Sequence, residues 1–352
     1  MKRALVAMSG GVDSAAAAAL TLDAGYECVG VTMRLIPGGG GKCCSLQDIN
    51  DARAAARKLG IPHYVLNYTA AFSRAVIEPF AAAYEAGLTP NPCIECNRRI
   101  KFDLLLRRAA ELEAECLVTG HYARIESGGG GLRLLKGIDP AKDQSYVLYM
   151  LTQKELARLR FPLGGITKAA AREIAASRGL ANARKSESQD ICFVEDGDYG
   201  GFIETWRGRA AERGSIVDTE GKVLGRHRGL IRYTLGQRRG TVVSANERRY
   251  VVARDFASNT LVLGAEAALY SSAMIVNGIS FVSGGGAAAA RWGVKTRYLQ
   301  KEAPARVERT GPDTLRVEFD RPQRALTPGQ AAVFYDGDEV IGGGTIRTAL
   351  SQ

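Results

Sequence analysis

The run Met8-Ser9-Gly10-Gly11-Val12-Asp13-Ser14 stands directly behind the apolar residues Ala4 to Ala7 and directly ahead of an alanine-rich stretch. Two adjacent glycines between a strand and a helix let the backbone come close to an anion, while Ser9, Ser14 and the first helical amides supply donors. This is the chemistry of a phosphate cradle, although a plain glycine turn would use the same residues. The Gly-Lys-Ser/Thr ending of a Walker loop is absent, so the usual γ-phosphate lysine is missing. Thiols are the second reactive feature. Cys93 and Cys96 lie in Thr89-Pro90-Asn91-Pro92-Cys93-Ile94-Glu95-Cys96-Asn97, where two prolines predict an irregular, exposed segment ahead of a helix over 101–112. Cys192 lies far along the chain, in Ile191-Cys192-Phe193, and can meet Cys96 only through the fold. A thiol with an unperturbed pKa near 8.5 is mostly protonated at neutral pH; Arg98, Arg99 and Lys101 could activate Cys96.

These groups need a frame that brings strand ends together. In the first 200 residues short apolar runs at 4–7, 28–35, 63–66 and 116–119 alternate with helix-period segments at 48–59 and 102–112. That alternation predicts an α/β, doubly wound parallel sheet with ligands at the carboxyl ends of its strands, where Ser9, Met33 and Gly120 fall. From residue 225 onward short β-rich runs replace it, predicting a barrel-like β domain. The resulting division is 1–202, 203–268 and 269–352, and glycine runs at 38–41, 128–131 and 284–286 read as loops or a linker. The chain of 352 residues, 46% hydrophobic and 24% charged, suits a folded protein of two or three domains. A net charge of +10 favours a polyanionic partner or serves solubility alone. No apolar run is long enough for a membrane span, and Lys2-Arg3 leads into a strand rather than a cleavable signal, so a cytoplasmic location is expected. Seven cysteines, an odd number, argue for thiol or metal chemistry over a disulfide framework.

Ser9 to Ser14 resembles the pyrophosphate-binding loop of the ATP pyrophosphatases, which adenylate a substrate oxygen and release pyrophosphate. Together with Thr89 to Asn97, Gly120-His121-Tyr122-Ala123, Lys142-Asp143-Gln144-Ser145-Tyr146 and Ile191-Cys192-Phe193, it resembles the tRNA-specific 2-thiouridylases. The likeness continues through Tyr233 to Gly240, Lys295 to Tyr298, Thr327 to Gln330 and Gly342 to Gly344, and so spans nearly the whole chain. The resemblance implies ATP-dependent exchange of oxygen for sulfur at C2 of the wobble uridine of tRNA. It implies an ATP-binding domain, a small central domain and a C-terminal β-barrel. Ala7, Met8, Ser9, Gly10, Gly11, Val12, Asp13 and Ser14 would hold ATP with magnesium, and Met33 and Gly120 would line the adenosine pocket. Cys192 would carry sulfur as a persulfide, and Cys96, the nucleophile, would resolve it by forming a disulfide with Cys192. His121, Lys142, Asp143, Gln144, Arg297, Tyr298 and Gln330 would contact tRNA. An upstream donor, a cysteine desulfurase or a sulfur-relay protein, is implied as a partner.

One residue departs from the commoner family pattern: Cys93 stands where an aspartate is usual. Cys93, Cys96 and Cys192 would be a ligand set for a [4Fe-4S] cluster with one open iron, while a redox pair or a tolerated substitution uses the same residues. Cys28 and Cys116, inside apolar runs, are expected in the core, and Cys43-Cys44 in a loop. Between Arg226 and Arg239 five arginines and no acid are interleaved with His227, Tyr233 and Gln237, a composition for gripping phosphates and stacking on bases. A solvated basic face is the alternative. Two further functions compete, a synthetase or amidotransferase that adenylates a small molecule and a noncatalytic RNA-binding protein. The basic C-terminal half opposes the first, and the intact loop and cysteines oppose the second.

Overall fold

The computed structural model describes residues 2–36, 45–184, 191–194, 196–241, 248–284, 286 and 289–350. Cys43, Cys44 and the glycine run at 38–41 lie outside the described residues.

Five parallel strands form the first sheet: β1 (Arg3–Ala7), β2 (Glu27–Arg34), β3 (His63–Asn67), β4 (Cys116–Val118) and β7 (Leu159–Arg160), in the order β3-β2-β1-β4-β7. The chain winds outward from β1 to β3 and then crosses to β4, so the order reverses between β1 and β4. Ligands bind at such reversals, beyond the carboxyl ends of the strands, and the Ser9 loop and Gly120 flank this one. Helix α1 (Val12–Asp23) packs on the sheet through Ala15 to Ala19, all fully buried. Alanine here favours helix and keeps α1 close to the strands. Helix α2 (Leu46–Leu59) opens with a capping box, Ser45 and Asp48 each satisfying the other's backbone amide, and closes on Gly60 in the left-handed region.

The central unit is a sheet of β8 (Gly214–Asp218), β9 (Val223–His227), β10 (Tyr250–Asp255) and β11 (Thr260–Gly264), ordered β10-β11-β8-β9. The last unit is a closed antiparallel barrel of β12 (Tyr270–Phe281), β13 (Ala289–Lys295), β14 (Ala303–Gly311), β15 (Thr314–Arg324), β16 (Ala331–Asp336) and β17 (Glu339–Leu350), sealed by β12 pairing with β17. Closure removes the free edges an open sheet would expose. The glycine run at 128–131 is the turn of a hairpin, β5 (Ala123–Gly128) with β6 (Gly131–Lys136). Gly129 and Gly130 adopt φ of 60° and 88°, as a two-residue turn requires. β6 meets β17 at Leu135 and Glu339, so the hairpin of the first domain extends the barrel sheet.

The cysteine segment differs from expectation. Pro92 begins a helix, Pro92–Glu95, which continues as a π-helical stretch, Cys96–Leu104, and then an α-helix, Leu105–Glu111. Proline is well suited to the first helical position, where its missing N–H has no partner to lose, and the Asn91 side chain accepts from the Cys93 amide at 3.1 Å. Both thiols therefore ride on the opening turns of a helix rather than in an irregular segment.

Candidate functional site

The loop after β1 is pre-shaped. Gly10 has φ of 77°, and any Cβ there would collide with the backbone of Asp48 at the start of α2. The Ser9 amide donates to the Ser14 hydroxyl at 3.1 Å, and that hydroxyl donates to the Gly11 carbonyl at 3.0 Å. Gly11 caps α1 without a side-chain bond, leaving the first helical amides for an anion. Gly120, arriving from β4, lies against the same helix end; a Cβ there would stand 3.0 Å from the Ser14 nitrogen. Ala7 is half-buried, Met8 and Val12 are buried and Ser9 is exposed at the mouth. Met33 near the end of β2 is half-buried.

Three residues of this site carried too little signal in the sequence. Lys168, the first residue of the helix Lys168–Ser177, places Nζ 2.6 and 2.8 Å from the two carboxylate oxygens of Asp13. Its side chain is only 10% exposed. A cation at the positive end of a helix opposes the helix dipole, and that misplacement was the available clue. The loop lacks a lysine of its own, and the fold supplies one from a distant helix. Tyr122 donates its hydroxyl to Asp13 at 2.7 Å, and Lys168 lies over its ring. Asn182 donates to the carbonyls of both Gly10 and Gly11 at 3.3 Å, while its buried Oδ1 has no partner.

Cys96 and Cys192 border one hydrophobic cluster, built on Phe72, Phe80, Ile100 and Phe193, and Met33 borders it as well. Met33, at the strand end expected to hold adenosine, thus borders the same cluster as the two thiols. Phe193 anchors the Cys192 segment edge-on against Phe72 and Phe80. The helix that follows, Tyr199–Arg207, is held to the helix Glu78–Glu85 by Arg207 on Glu78 at 2.7 Å and on Glu85 at 2.9 Å, with the Trp206 indole on Glu78 at 3.0 Å. Arg98 and Arg99 both pair with Glu95, at 3.3 and 3.7 Å, so their charge beside Cys96 is shared with a carboxylate. Cys93 is exposed whereas Cys96 and Cys192 are half-buried. Among the described residues no three His, Cys, Asp or Glu side chains converge as a metal site. Cys28 and Cys116 are core residues, 2% and 0% exposed. Burial, with Cys116 adding to it, pushes the Cys28 thiol up to about 11, and burial raises Cys116 too, which suppresses thiolate chemistry at both.

Several of the residues expected to touch RNA also have partners within the protein. His121 is 7% exposed, bonded to Thr119 at 2.7 Å and lodged between Phe102 and Phe161; burial, assisted by Lys101, holds its pKa well below the usual value. Asp143 accepts from the amides of Gly137 and Ser145 and faces Lys295 of the barrel at 3.7 Å. Gln144 accepts from the Tyr122 amide at 3.1 Å. Arg297 donates to Leu235 and Ala325 carbonyls and to Thr327, and Gln330 donates to the Thr89 carbonyl at 2.8 Å. Tyr298 is 37% exposed and rests on Tyr146, and Lys142 is half-buried. In the basic stretch, His227 and Tyr233 are 1% and 3% exposed and pack together in the central core. They cannot stack on bases as expected, because the small β sheet needs their rings. Arg226, Arg228, Arg238 and Arg239 remain exposed, and Arg232 pairs with Asp198 at 3.0 Å.

Comparison with known proteins gives a consistent match along the chain. Residues 2–196 match the family model described as tRNA methyl transferase HUP domain, 201–265 the tRNA methyl transferase PRC-barrel domain, and 271–346 the aminomethyltransferase beta-barrel domain. The protein named tRNA-specific 2-thiouridylase MnmA from Geobacter metallireducens is 46% identical over 361 residues, covering 100% of this chain and 98% of its own. Its namesake from Chloroflexus aurantiacus is 49% identical over 353 residues, covering 98% of each. A solved 4-thiouridine synthetase in complex with RNA and ATP covers 54% of this chain and 44% of its own at 20% identity, with a TM-score of 0.39, too slight a likeness to bear on function.

Proposed function

We propose that this chain, which belongs to the family of the tRNA-specific 2-thiouridylases, converts the wobble uridine of tRNA to 2-thiouridine through Cys96 and Cys192 at the expense of ATP. The observation that carries this reading is that Cys96, Cys192 and Met33 pack against one hydrophobic cluster, Met33 standing near the end of β2, the neighbour of the strand that feeds the Ser9–Ser14 loop. The family models carry methyl-transfer names, yet a phosphate loop and two thiols bordering one cluster of the same domain suit adenylation and sulfur transfer.

A uracil C2 carbonyl is a weak electrophile with a poor leaving group. Attack of its oxygen on the α-phosphorus of ATP releases pyrophosphate and converts that oxygen into part of AMP. The loop amides and the N-terminus of α1 hold the phosphates, and Lys168 can leave Asp13 to meet the charge that develops on them. Magnesium would be held by Asp13 with the phosphates and would offset their charge. The terminal sulfur of a Cys192 persulfide then bonds to C2 and AMP departs. The Cys96 thiolate attacks Sγ of Cys192, which breaks the sulfur–sulfur bond, leaves sulfur on C2 and forms a Cys96–Cys192 disulfide. An external thiol reductant restores the pair, and a cysteine desulfurase or sulfur-relay protein reloads Cys192. In this reading the enzyme works in the cytoplasm.

In this reading residues 1–202 adenylate and transfer sulfur, while 203–268 and 269–352 hold the RNA, with Arg226, Arg228, Arg238 and Arg239 on phosphates. Incubating the protein with tRNA, ATP and a persulfide donor tests the proposal. 2-Thiouridine is expected from the wild type and none from Cys96→Ser or Cys192→Ser; full activity in either variant would refute the assigned route.

A further inference from the structure

Arg254, in β10 of the central unit, is half-buried, and among the described residues no carboxylate pairs with it. Burial holds its guanidinium below the ordinary arginine value, so the site bears a cost that needs compensation. Neutral oxygens from two domains supply it. Arg254 donates to the Tyr233 carbonyl at 2.8 Å, the Gly87 carbonyl at 2.6 Å and the Thr89 hydroxyl at 3.3 Å. Phe256 lies under the guanidinium at 5.8 Å, and Gly87 has φ of 78° with no room for a Cβ against that ring.

Both ends of this contact matter. On one side the turn holding Tyr233 is gripped by three arginines: Arg254 on the Tyr233 carbonyl, Arg297 of the barrel on Leu235 at 3.4 Å, and Arg324 of the barrel on Gly236 at 3.2 Å. Arg238 and Arg239, both exposed, follow that turn directly. On the other side Thr89 is two residues ahead of Asn91, the cap of the helix that carries Cys93 and leads into Cys96. The barrel holds Thr89 independently, since the Thr89 amide donates to Pro328 at 2.9 Å and Gln330 donates back to the Thr89 carbonyl at 2.8 Å. Gly329 sits between them with φ of 91°, and a Cβ there would fall 2.7 Å from the Thr89 nitrogen.

We propose that Arg254 is a positioning residue for sulfur transfer: it fastens the strap Gly87–Thr89 to the arginine-gripped turn beside Arg238 and Arg239, and so fixes the Cys96 helix in place when the outer domains hold RNA. The inference rests on the proposed role of Cys96, and it adds a mechanical link between the basic surface and that thiol. The link needs no movement of Arg254 itself. It requires that the strap be taut when all three domains are docked.

Two variants test it by separate routes. Arg254→Met keeps the packing of the side-chain stem and removes all donors, and Gly329→Ala pushes on the strap from the barrel side. In each, alkylation of Cys96 in the RNA-free protein, followed by peptide mass, is expected to rise about fivefold as the segment opens more often. The kcat for thiolation is expected to fall about tenfold, as for any misplaced reacting group, with KM for tRNA unchanged and Arg254→Lys partly restored. Unaltered Cys96 alkylation in both variants would overturn the proposal whatever happens to turnover. A general loss of folding, seen as a lowered Tm with KM for tRNA rising alongside, would also overturn it. If alkylation responds as expected but the wild-type protein does not thiolate tRNA, the strap stands and the sulfur-transfer reading falls.

Discussion

At the residue scale, Asp13 and Lys168 decide whether the loop works. Each neutralises the other, so neither charge is left uncompensated in a half-buried site. Lys168→Met should leave Asp13 without its cation and ATP without one of its charge partners. AMP formation is expected to fall about a hundredfold, the usual order for removing one electrostatic stabiliser, and tRNA binding should stay unchanged in a filter assay. Cys93 presents the opposite case. It is exposed, in contrast to half-buried Cys96 and Cys192, and stands outside the persulfide route, so Cys93→Asp should thiolate tRNA at close to the wild-type rate under air; loss of activity together with iron in anaerobic protein would show a cluster instead. His121 gives a pH signature. Its pKa is depressed in the folded state, so as pH falls below about 6.5 the unfolded chain takes up the proton first and stability declines, by at most ~1.4 kcal/mol per pH unit. His121→Gln keeps a polar partner for Thr119 and should make the fall in Tm between pH 6.5 and 5 shallower, with the share due to His63 remaining.

At the scale of elements, the loop between β1 and α1 is held from below by α2, and this contact leaves room for glycine alone at position 10. Gly10→Ala is expected to abolish AMP formation while the barrel and its RNA affinity persist, a split that steady-state turnover and tRNA binding together would reveal. The parallel strands, α1 and the barrel character of the last unit were legible because apolar periodicity and turn residues report local preference directly. The helix at Pro92 was not, since proline opposes a helix interior but favours its first position, and only the Asn91 cap distinguishes the two. Cys96 and Cys192 stood out in the sequence by their family-like neighbours, and the fold sets both against one cluster. Lys168 and Asn182 were not, because each acts through tertiary contact from a segment whose local sequence is ordinary, and Tyr122, although inside a family-like motif, gave no sign of its bond to Asp13. The aromatic residues of the basic stretch misled for a related reason: composition does not say which face of a small sheet a ring occupies, and Tyr233 went into the core of the central unit with His227 buried against it.

At the scale of the whole molecule, three domains meet at the strap that leads to the cysteines, and a net charge of +10 is displayed in part on Arg226, Arg228, Arg238 and Arg239. Replacing Arg238 and Arg239 by glutamine should weaken tRNA binding and reduce the slope of log affinity against log salt by about 1 to 2, since each phosphate contact releases most of one counterion. An unchanged slope would assign the RNA contacts to another face. The central claim is that adenylation at the Ser9–Ser14 loop and sulfur transfer at Cys96 and Cys192 are two halves of one reaction on tRNA. The most direct measurement is a single-turnover reaction of enzyme loaded with persulfide sulfur, in which AMP and 2-thiouridine are counted in the same sample. Equal amounts of the two, both lost when tRNA is omitted and thiouridine alone lost in Cys192→Ser, are the predicted result. Thiouridine formed without AMP, or AMP released equally with and without tRNA, would contradict the account.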